Sequence, residues 1–204
     1  MKQNQFGRSM IEMLGVLAII GVLSVGGIAG YSKAMEQYKI NKTIEQYNYF
    51  IFGMLDHIKD AQKFTQVKCL LNVVEAAGLV PKTWKYWNSC GMRDELGNSL
   101  QTYADGYGQL TIGFEPANYN KKSTTHKLCT ELLSNIIIPL NEAITTVSIT
   151  NGEQIYANYY GKSKCIANLS GKRKCLIDVT LTDIKGACDF CADSKLCGIY
   201  LKFN

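Results

Sequence analysis

The chain has 204 residues, of which 47% are hydrophobic, together with eight cysteines and a formal net charge of +5 at pH 7. This length fits one ordinary folded domain with a short membrane element, and it excludes several large domains. The weak charge, mostly from lysine, implies solubility and mild attraction to anionic surfaces, and it identifies no partner.

An uncharged stretch from Met13 to Tyr31 follows the short basic leader "MKQNQFG". As an α-helix these residues would rise ~28 Å, close to the hydrocarbon thickness of a bilayer. Lys2 and Arg8 precede the stretch and favour a cytoplasmic N-terminus with the remainder exported. A plain anchor and a cleaved secretory signal are alternatives, although signal peptides usually carry an apolar run of only about 7 to 15 residues.

A glycine, four residues, a glutamate and the long apolar run fall in one register, from Gly7 through Glu12. This pattern is similar to the N-terminus of type IV prepilins. The resemblance implies cleavage by prepilin peptidase between Gly7 and Arg8, N-methylation of Arg8, and a role for Glu12 in subunit assembly. Arg8 departs from the family, which most often has phenylalanine or another apolar residue there, and it is spaced i, i+4 from Glu12 on a helix.

The same resemblance implies the organisation of the chain: a leader (1–7), a transmembrane and filament-core helix (8–31), the amphipathic half of that helix (32–64) and a globular head (65–204). It implies other pilin subunits, the prepilin peptidase, an inner-membrane assembly platform, an assembly ATPase and the membrane as partners, and DNA or a host surface as ligands of the filament. The precursor is expected in the inner membrane with its head in the periplasm, and the assembled filament outside the cell. The short leader resembles type IVa pilins, whereas the head looks like type IVb. A pseudopilin of a type II secretion system shares the N-terminal pattern and is an alternative.

Apolar residues at alternating steps of four and three continue after Tyr31 and form one helical face. Its members are Ile40, Ile44, Tyr47, Ile51, Met54, Ile58 and Ala61. We therefore expect one helix from about Ser9 to Lys63. A second helix is expected over Val67–Ala77, stopped by Gly78 and Pro81, and 97–108 is expected to be a loop.

Alternation of apolar residues predicts strands in the rest of the chain. The predicted strands contain Leu110–Phe114, Cys175–Leu181 and Ile199–Phe203, and a helix with Cys129 is expected over Leu128–Ile136. The segments "AITTVSIT" and "EQIYANYY" flank Asn151 and Gly152, the residue pair preferred in a two-residue type I′ hairpin turn. The head is therefore expected to be an antiparallel sheet with helices on one side, an α+β fold.

All eight cysteines follow the apolar stretch, and their even number favours disulfides formed outside a reducing cytosol. They are Cys69, Cys90, Cys129, Cys165, Cys175, Cys188, Cys191 and Cys197. The CxxC in "CDFCADSKLC" leaves two alternatives open, a zinc site or a thiol-redox pair in an anchored exported protein. In pilins a disulfide usually ties the C-terminal region to the head, which suggests Cys129 with one of Cys188, Cys191 or Cys197; Cys165 with Cys175, across a hairpin, is a second candidate pair.

No catalytic constellation, phosphate loop or resident cofactor is predicted, and we expect a protein that is not an enzyme. His57 and His126 are expected to be surface residues. The basic run "GKSKCIANLSGKRKC" is expected to be a solvated loop, with contact to an anion such as DNA as the alternative. The aromatic segment "TWKYW" is expected to pack in the core, with an exposed adhesive patch as the alternative.

Overall fold

The computed structural model describes residues 10–117, 122–167 and 169–204, with the backbone alone at Ile11. The helices are α1 (Met10–Asp56), α2 (Ile58–Ala61), α3 (Leu71–Ala76), α4 (Lys122–Leu132) and α5 (Leu181–Asp193). A π-helical segment (Leu133–Ile137) continues α4, and a 3₁₀ turn (Leu176–Asp178) precedes α5. The strands are β1 (Val67–Cys69), β2 (Lys85–Asn88), β3 (Gly91–Arg93), β4 (Ser99–Asp105), β5 (Leu110–Glu115), β6 (Ile144–Thr150), β7 (Ile155–Tyr160), β8 (Arg173–Cys175) and β9 (Gly198–Phe203).

The chain divides into two compact units, and the boundary falls inside α1. The first unit ends at Lys39, and the second comprises Ile40–Asn204. The second unit therefore contains the last turns of α1, all nine strands and helices α2 to α5. Its α+β architecture, with a long N-terminal helix that packs on a sheet, confirms the predicted fold class.

The nine strands form one sheet in the order β2-β3-β4-β5-β9-β6-β7-β8, and β1 pairs with β4. The pairs are antiparallel except for β7 with β8, so the sheet is mixed rather than purely antiparallel. The long strand β4 pairs with β3 through Ser99–Gln101 and with β1 through Tyr103–Asp105. Between them, the Thr102 carbonyl accepts a hydrogen bond from Leu70 N, and Thr102 N donates to the Cys90 carbonyl.

One face of the sheet forms the hydrophobic core, because alternate residues of the central strands are fully buried. Leu100, Phe114, Ile199 and Ile149 lie in register on four strands and belong to a single core cluster. That cluster also contains residues of α1, α3, α4 and α5. The register positions on the other face hold polar and partly exposed side chains such as Gln101 and Ser148. The helices accordingly cover the apolar face.

The apolar stripe predicted on α1 is the part of this helix that enters the core. Ile40, Ile44, Tyr47, Ile51 and Met54 are all buried, which confirms the predicted helical face. The helix also comes close to the segment after α3, because a Cβ atom at Gly53 would overlap the Leu79 side chain. The predicted end at Lys63 is wrong: α1 ends at Asp56, and α2 follows as a separate short helix.

Between 67 and 108, the predicted helix is present but shorter than expected, and the predicted loop is wrong. Val67–Cys69 is strand β1, and the helix expected there is confined to Leu71–Ala76. The predicted loop over 97–108 contains β4, which lies near the centre of the sheet. Its buried face has Leu100, Thr102 and Ala104, and two of these residues carry too little apolar surface for alternation to identify a strand.

The predicted hairpin is present, but its turn is longer than expected. Four residues, 151–154, connect β6 to β7. The Asn151 side-chain oxygen accepts hydrogen bonds from the backbone N–H groups of Glu153 and Gln154, at 3.1 and 2.9 Å. Gly152 has a φ of +89°, a conformation that glycine adopts without steric penalty. The asparagine side chain thus stabilises a wider loop than a type I′ turn.

The strand predicted over 175–181 is also wrong. Cys175 ends β8, a 3₁₀ turn follows, and Leu181 begins α5. Thr180 caps α5 in a capping box: its side chain accepts from Asp183 N, and the Asp183 carboxylate accepts from Thr180 N. These bonds satisfy N–H groups that the first turn of a helix leaves unpaired, so the helix begins here despite the alternating pattern.

All eight cysteines are paired in four disulfides, which confirms the expectation of disulfide bonds. The pairs are Cys69–Cys90, Cys129–Cys188, Cys165–Cys175 and Cys191–Cys197. The second joins α4 to α5, and the fourth joins α5 to the residue that precedes β9. Cys165 was expected to lie across a hairpin from Cys175. It lies instead in the loop after β7, so the bond between them does not cross a hairpin.

The disulfides Cys129–Cys188 and Cys191–Cys197 join four buried cysteines and allow a matched test of how such bonds stabilise the head. Replacing Cys129 and Cys188 together by Ala should lower the free energy of unfolding by about 4 kcal/mol, and replacing Cys191 and Cys197 by about 2 kcal/mol. The bonds close loops of 59 and 6 residues, and the entropy removed from the unfolded chain grows with loop length. Denaturant unfolding followed by circular dichroism measures both. Equal losses would contradict this explanation, since all four side chains are similarly buried.

Candidate assembly helix and surface sites

The first half of α1 exposes an apolar surface along its length. The large hydrophobic side chains from Met13 to Ile28 are between 48% and 74% exposed. None of the most apolar 18-residue window is buried by the residues that the structure describes, and α1 is long and apolar enough to span a membrane. Core residues of soluble proteins are buried by their own chain, so this surface differs from the stripe that begins at Ile40.

Glu12 lies in the first turn of α1, at the entrance to this surface, and is exposed. It is the only charged side chain between Met10 and Tyr31, so the apolar surface is otherwise uninterrupted by charge. The predicted cleavage site at Gly7 and Arg8 lies outside the described residues. The role of Glu12 in assembly stays a prediction.

Five glycines, Gly15, Gly21, Gly26, Gly27 and Gly30, interrupt the apolar part of α1. Apart from chain neighbours and the adjacent backbone of α1 itself, no described atom lies within 4 Å of the position a Cβ would take at any of them. Packing within the described part of the chain therefore does not require glycine at these positions. Glycines on a helix allow the close approach of a second helix, which is the property expected of a membrane or filament contact.

The CxxC cysteines are not bonded to each other. Cys188 pairs with Cys129 and Cys191 with Cys197, and all four side chains are buried. A thiol-redox site needs an accessible pair that exchanges between dithiol and disulfide, and a zinc site needs thiolates. In this disulfide state the motif provides neither. Among the described residues no group of three or more histidines, cysteines, aspartates and glutamates is arranged to hold a metal ion.

Three lysines of the predicted basic loop have partners within the head. Lys162 forms an ion pair with Glu142 at 2.8 Å, and Lys174 with Asp183 at 2.7 Å. Lys172 lies over the ring of Tyr156, with its Nζ 3.4 Å from the ring centroid. Lys164 and Arg173 are exposed. Two of these partners are carboxylates, so two of the five positive charges that the sequence suggested for an anion contact are balanced within the head.

The Lys174–Asp183 pair lies at the N-terminus of α5. Burial by itself raises the pKa of Asp183, but hydrogen bonds from Lys174 and Thr180 outweigh it, so the pKa lies below the ordinary value of an aspartate. These bonds link the basic loop to the capping box of α5.

The aromatic segment "TWKYW" is divided between core and surface. Trp84 is buried, its indole N–H donates to the Gln46 side-chain oxygen at 3.0 Å, and its ring meets Tyr47 edge-on. Tyr86 and Trp87, on β2, remain exposed. Core packing was thus correctly predicted for one of these three rings and wrong for the other two.

The two histidines lie near the surface, as predicted, and each is close to a carboxylate. His57 Nδ1 is 3.5 Å from Asp60, and His126 Nε2 is 3.2 Å from Asp189. The two sites are on different elements, and neither belongs to a cluster of three ionisable ligands in the described parts of the chain.

A buried carboxylate that the sequence did not single out connects α1 to the sheet. Asp94 accepts hydrogen bonds from the Tyr47 hydroxyl and the Asn98 amide, both at 2.7 Å, and from the backbone of Leu96 and Asn98. Burial raises the pKa of Asp94, and these hydrogen bonds partly oppose the rise. Beside it, Lys42 forms an ion pair with Glu95 at 2.8 Å. The signal in the sequence was the turn "DELGN", whose importance depends on Tyr47, a residue 47 positions away.

Comparison with known proteins adds no relative: no family model, no curated protein and no solved structure matches this chain.

The Asp183 interactions predict a dependence of stability on pH. Asp183→Asn should lower the melting temperature at neutral pH, because it removes the charge that Lys174 pairs with. A depressed pKa in the folded state stabilises the fold above the unfolded pKa of about 3.9, and this stabilisation is lost as pH falls through the lower folded pKa. The difference from the unmodified protein should therefore shrink below pH ~4.

Thermal unfolding between acid and neutral pH measures this difference. Asp178→Asn is the matched control, since Asp178 is exposed on the preceding 3₁₀ turn. It should leave the melting temperature nearly unchanged. A constant effect of Asp183→Asn at every pH would contradict the charge-based explanation.

Proposed function

We propose that this chain is a structural subunit of a type IV pilus-like filament. It is made as a membrane-anchored precursor, cut by prepilin peptidase after Gly7, and assembled through α1. The observation that carries the proposal is the contrast within α1: an exposed apolar surface up to Tyr31 follows Glu12, whereas the stripe from Ile40 is buried in a folded head. Together with the glycine–glutamate spacing, this contrast is typical of a subunit that polymerises through its N-terminal helix.

The exposed apolar surface requires another environment. Each buried CH₂ group contributes about 0.8 kcal/mol, so a helix with this many exposed apolar side chains is strongly unfavourable in water. Before assembly the lipid bilayer covers the surface, and after assembly the α1 helices of neighbouring subunits cover it. The glycines of α1 favour the second environment, because small residues allow helices to approach closely.

Glu12 has a specific task in this proposal. A carboxylate in lipid costs on the order of 2.5–3.5 kcal/mol on insertion scales, so it stays near the water interface while the precursor is in the membrane. In the filament it pairs with the α-amino group that cleavage creates at Arg8 of a neighbouring subunit. The guanidinium of Arg8 is spaced to reach Glu12 of its own chain and competes for the same carboxylate.

Processing and assembly require other proteins, because the chain itself is not proposed to catalyse either step. The peptidase removes the leader and methylates Arg8, and an assembly ATPase with an inner-membrane platform extracts the subunit from the bilayer. Four disulfides in the head agree with export to an oxidising compartment, with the N-terminus in the cytoplasm before cleavage. The finished filament serves adhesion, motility or DNA uptake, and the subunit's contribution is structural rather than catalytic.

Processing gives the first test. Protein isolated from the native membrane, measured by intact mass spectrometry without reduction, should begin at Arg8 and carry an N-methyl group. Its mass should also be lower by two hydrogen atoms for each of the four disulfides. Reduced protein is the control for the disulfide count. A chain that retains Met1 through Gly7 in cells with active prepilin peptidase would contradict the proposal.

The role of Glu12 gives the second test. Glu12→Ala should leave membrane insertion intact and reduce incorporation into filaments by roughly tenfold or more, because an unpaired charge in a poorly hydrated interface costs about 3–5 kcal/mol. Immunoblots of sheared filaments and of membranes measure the two quantities. Glu45→Ala, an exposed glutamate on the same helix within the second unit, is the matched control and should assemble normally. Normal assembly of Glu12→Ala would remove the role proposed for the carboxylate.

A further inference from the structure

The edge strand β2 carries an exposed tryptophan at an irregular position. β2 lies at one end of the sheet, and its pairing with β3 shifts register between Tyr86 and Asn88. Trp87 is the residue at this β-bulge. Bulges at sheet edges often re-aim a side chain, and here the Trp87 ring remains 47% exposed, whereas Trp84 three residues earlier is only 5% exposed.

A cation from the neighbouring strand lies against this ring. The guanidinium carbon of Arg93 is 4.2 Å from the centre of the Trp87 ring, an arrangement that orients the indole through a cation–π interaction. Arg93 lies against one face of the ring and Trp87 is still about half exposed, which leaves the opposite face as the candidate for a second contact. The bulge and Arg93 together hold a flat aromatic surface at the rim of the head.

The charged residues of the chain segment around the ring have one sign, and the nearby carboxylate of Glu75 in α3 is hydrogen-bonded to Tyr86. The segment from Lys82 to Arg93 contains three cations and no carboxylate, and Lys85 lies directly opposite Arg93 in the β2–β3 pair. No ion pair involves Lys85 or Arg93 within the described residues, in contrast to the lysines of the basic loop. The acidic residues that follow are already engaged: Asp94 by Tyr47 and Asn98, and Glu95 by Lys42.

We propose that Trp87, Arg93 and Lys85 form a binding site for single-stranded nucleic acid. An unpaired base stacks on the face of Trp87 that Arg93 does not cover, and the two cations bind the flanking phosphates. Lysine and arginine are hydrogen-bond donors without acceptor capacity, which complements phosphate oxygens. Stacking on aromatic rings beside a cationic track is how proteins bind single strands without sequence preference. Duplex bases are already stacked on one another and leave no face for the indole.

This site belongs to the second unit and does not depend on polymerisation. Its test uses the full chain, unassembled in a non-ionic detergent, with a fluorescein-labelled oligothymidylate of about 12 nucleotides as the probe. Anisotropy titration should show saturable binding, and Trp87→Ala should weaken it by about 5- to 100-fold, the loss expected when one stacked base is removed. Tyr107→Ala removes another highly exposed ring and should leave the affinity unchanged.

The two cations are tested through the salt dependence. Lys85→Ala and Arg93→Ala should each reduce the slope of log affinity against log salt concentration by about 0.7, as expected when one phosphate contact to a single strand is lost. Trp87→Ala should lower the affinity without changing that slope. Lys164→Ala is the matched control for charge, since Lys164 is exposed in the loop after β7.

Intrinsic fluorescence identifies the stacked ring directly, because the chain has two tryptophans and only Trp87 is exposed. Oligonucleotide binding should quench tryptophan emission, and Trp87→Phe should abolish the quenching while it keeps most of the affinity. The proposal is overturned by a lack of saturable binding, by equal affinities of Trp87→Ala and Tyr107→Ala, or by equal affinity for a duplex of the same length. Tighter binding of an acidic polysaccharide with the same dependence on Trp87 would also overturn it, in favour of a glycan partner. Glu12→Ala should bind the probe normally, so failure of assembly and failure of this site remain distinguishable.

Discussion

The two halves of α1 differ in whether the head removes their apolar side chains from water. The proposed assembly into a filament follows from this difference. From Ile40 the helix contributes Tyr47, Ile51 and Met54 to the core, where the sheet removes them from water. Up to Tyr31 the same helix presents apolar side chains that remain exposed among the described residues. The hydrophobic effect acts equally on both stretches. The stretch up to Tyr31 therefore requires an apolar environment that other molecules supply. A bilayer and a bundle of like helices both satisfy that requirement.

The head is built to hold the second half of α1 in a fixed register. The buried Asp94 receives the Tyr47 hydroxyl at 2.7 Å, and Lys42 reaches Glu95 on the same turn. A buried carboxylate that loses a hydrogen-bond donor is destabilised by more than the bond contributes, so this contact disfavours rotation or sliding of the helix. Elsewhere in the head, the disulfide between α4 and α5 and the one before β9 tie the last helices and the last strand together.

Sequence reasoning succeeded where one local pattern was sufficient. The 3.6-residue stripe of α1 and the alternation in β5 and β9 identified these elements, because their periodic residues are large, apolar and buried by a single surface. It failed for β4, whose buried face includes Thr102 and Ala104, and for the segment after Cys175. There, Ile177 and Leu181 alternate with polar residues but are 77% and 80% exposed, and the capping box at Thr180 starts a helix. The site residues divide in the same way: the exposed helix surface was predictable, whereas the bulge at Trp87 and the Asp94 contacts were not.

The sequence by itself determined that this chain has an uncharged helix with a single acid at its entrance, an amphipathic continuation, and eight cysteines suited to disulfides. These properties are local, since they depend on composition and on spacings of a few residues. Only the tertiary structure decided which cysteines pair, that β4 joins the centre of the sheet, and which aromatic rings of "TWKYW" reach the surface. Each of these depends on residues brought together from distant parts of the chain, as Cys129 and Cys188 are across 59 positions. Packing against distant partners overrides local preference at such sites, because burial contributes more free energy than intrinsic propensity.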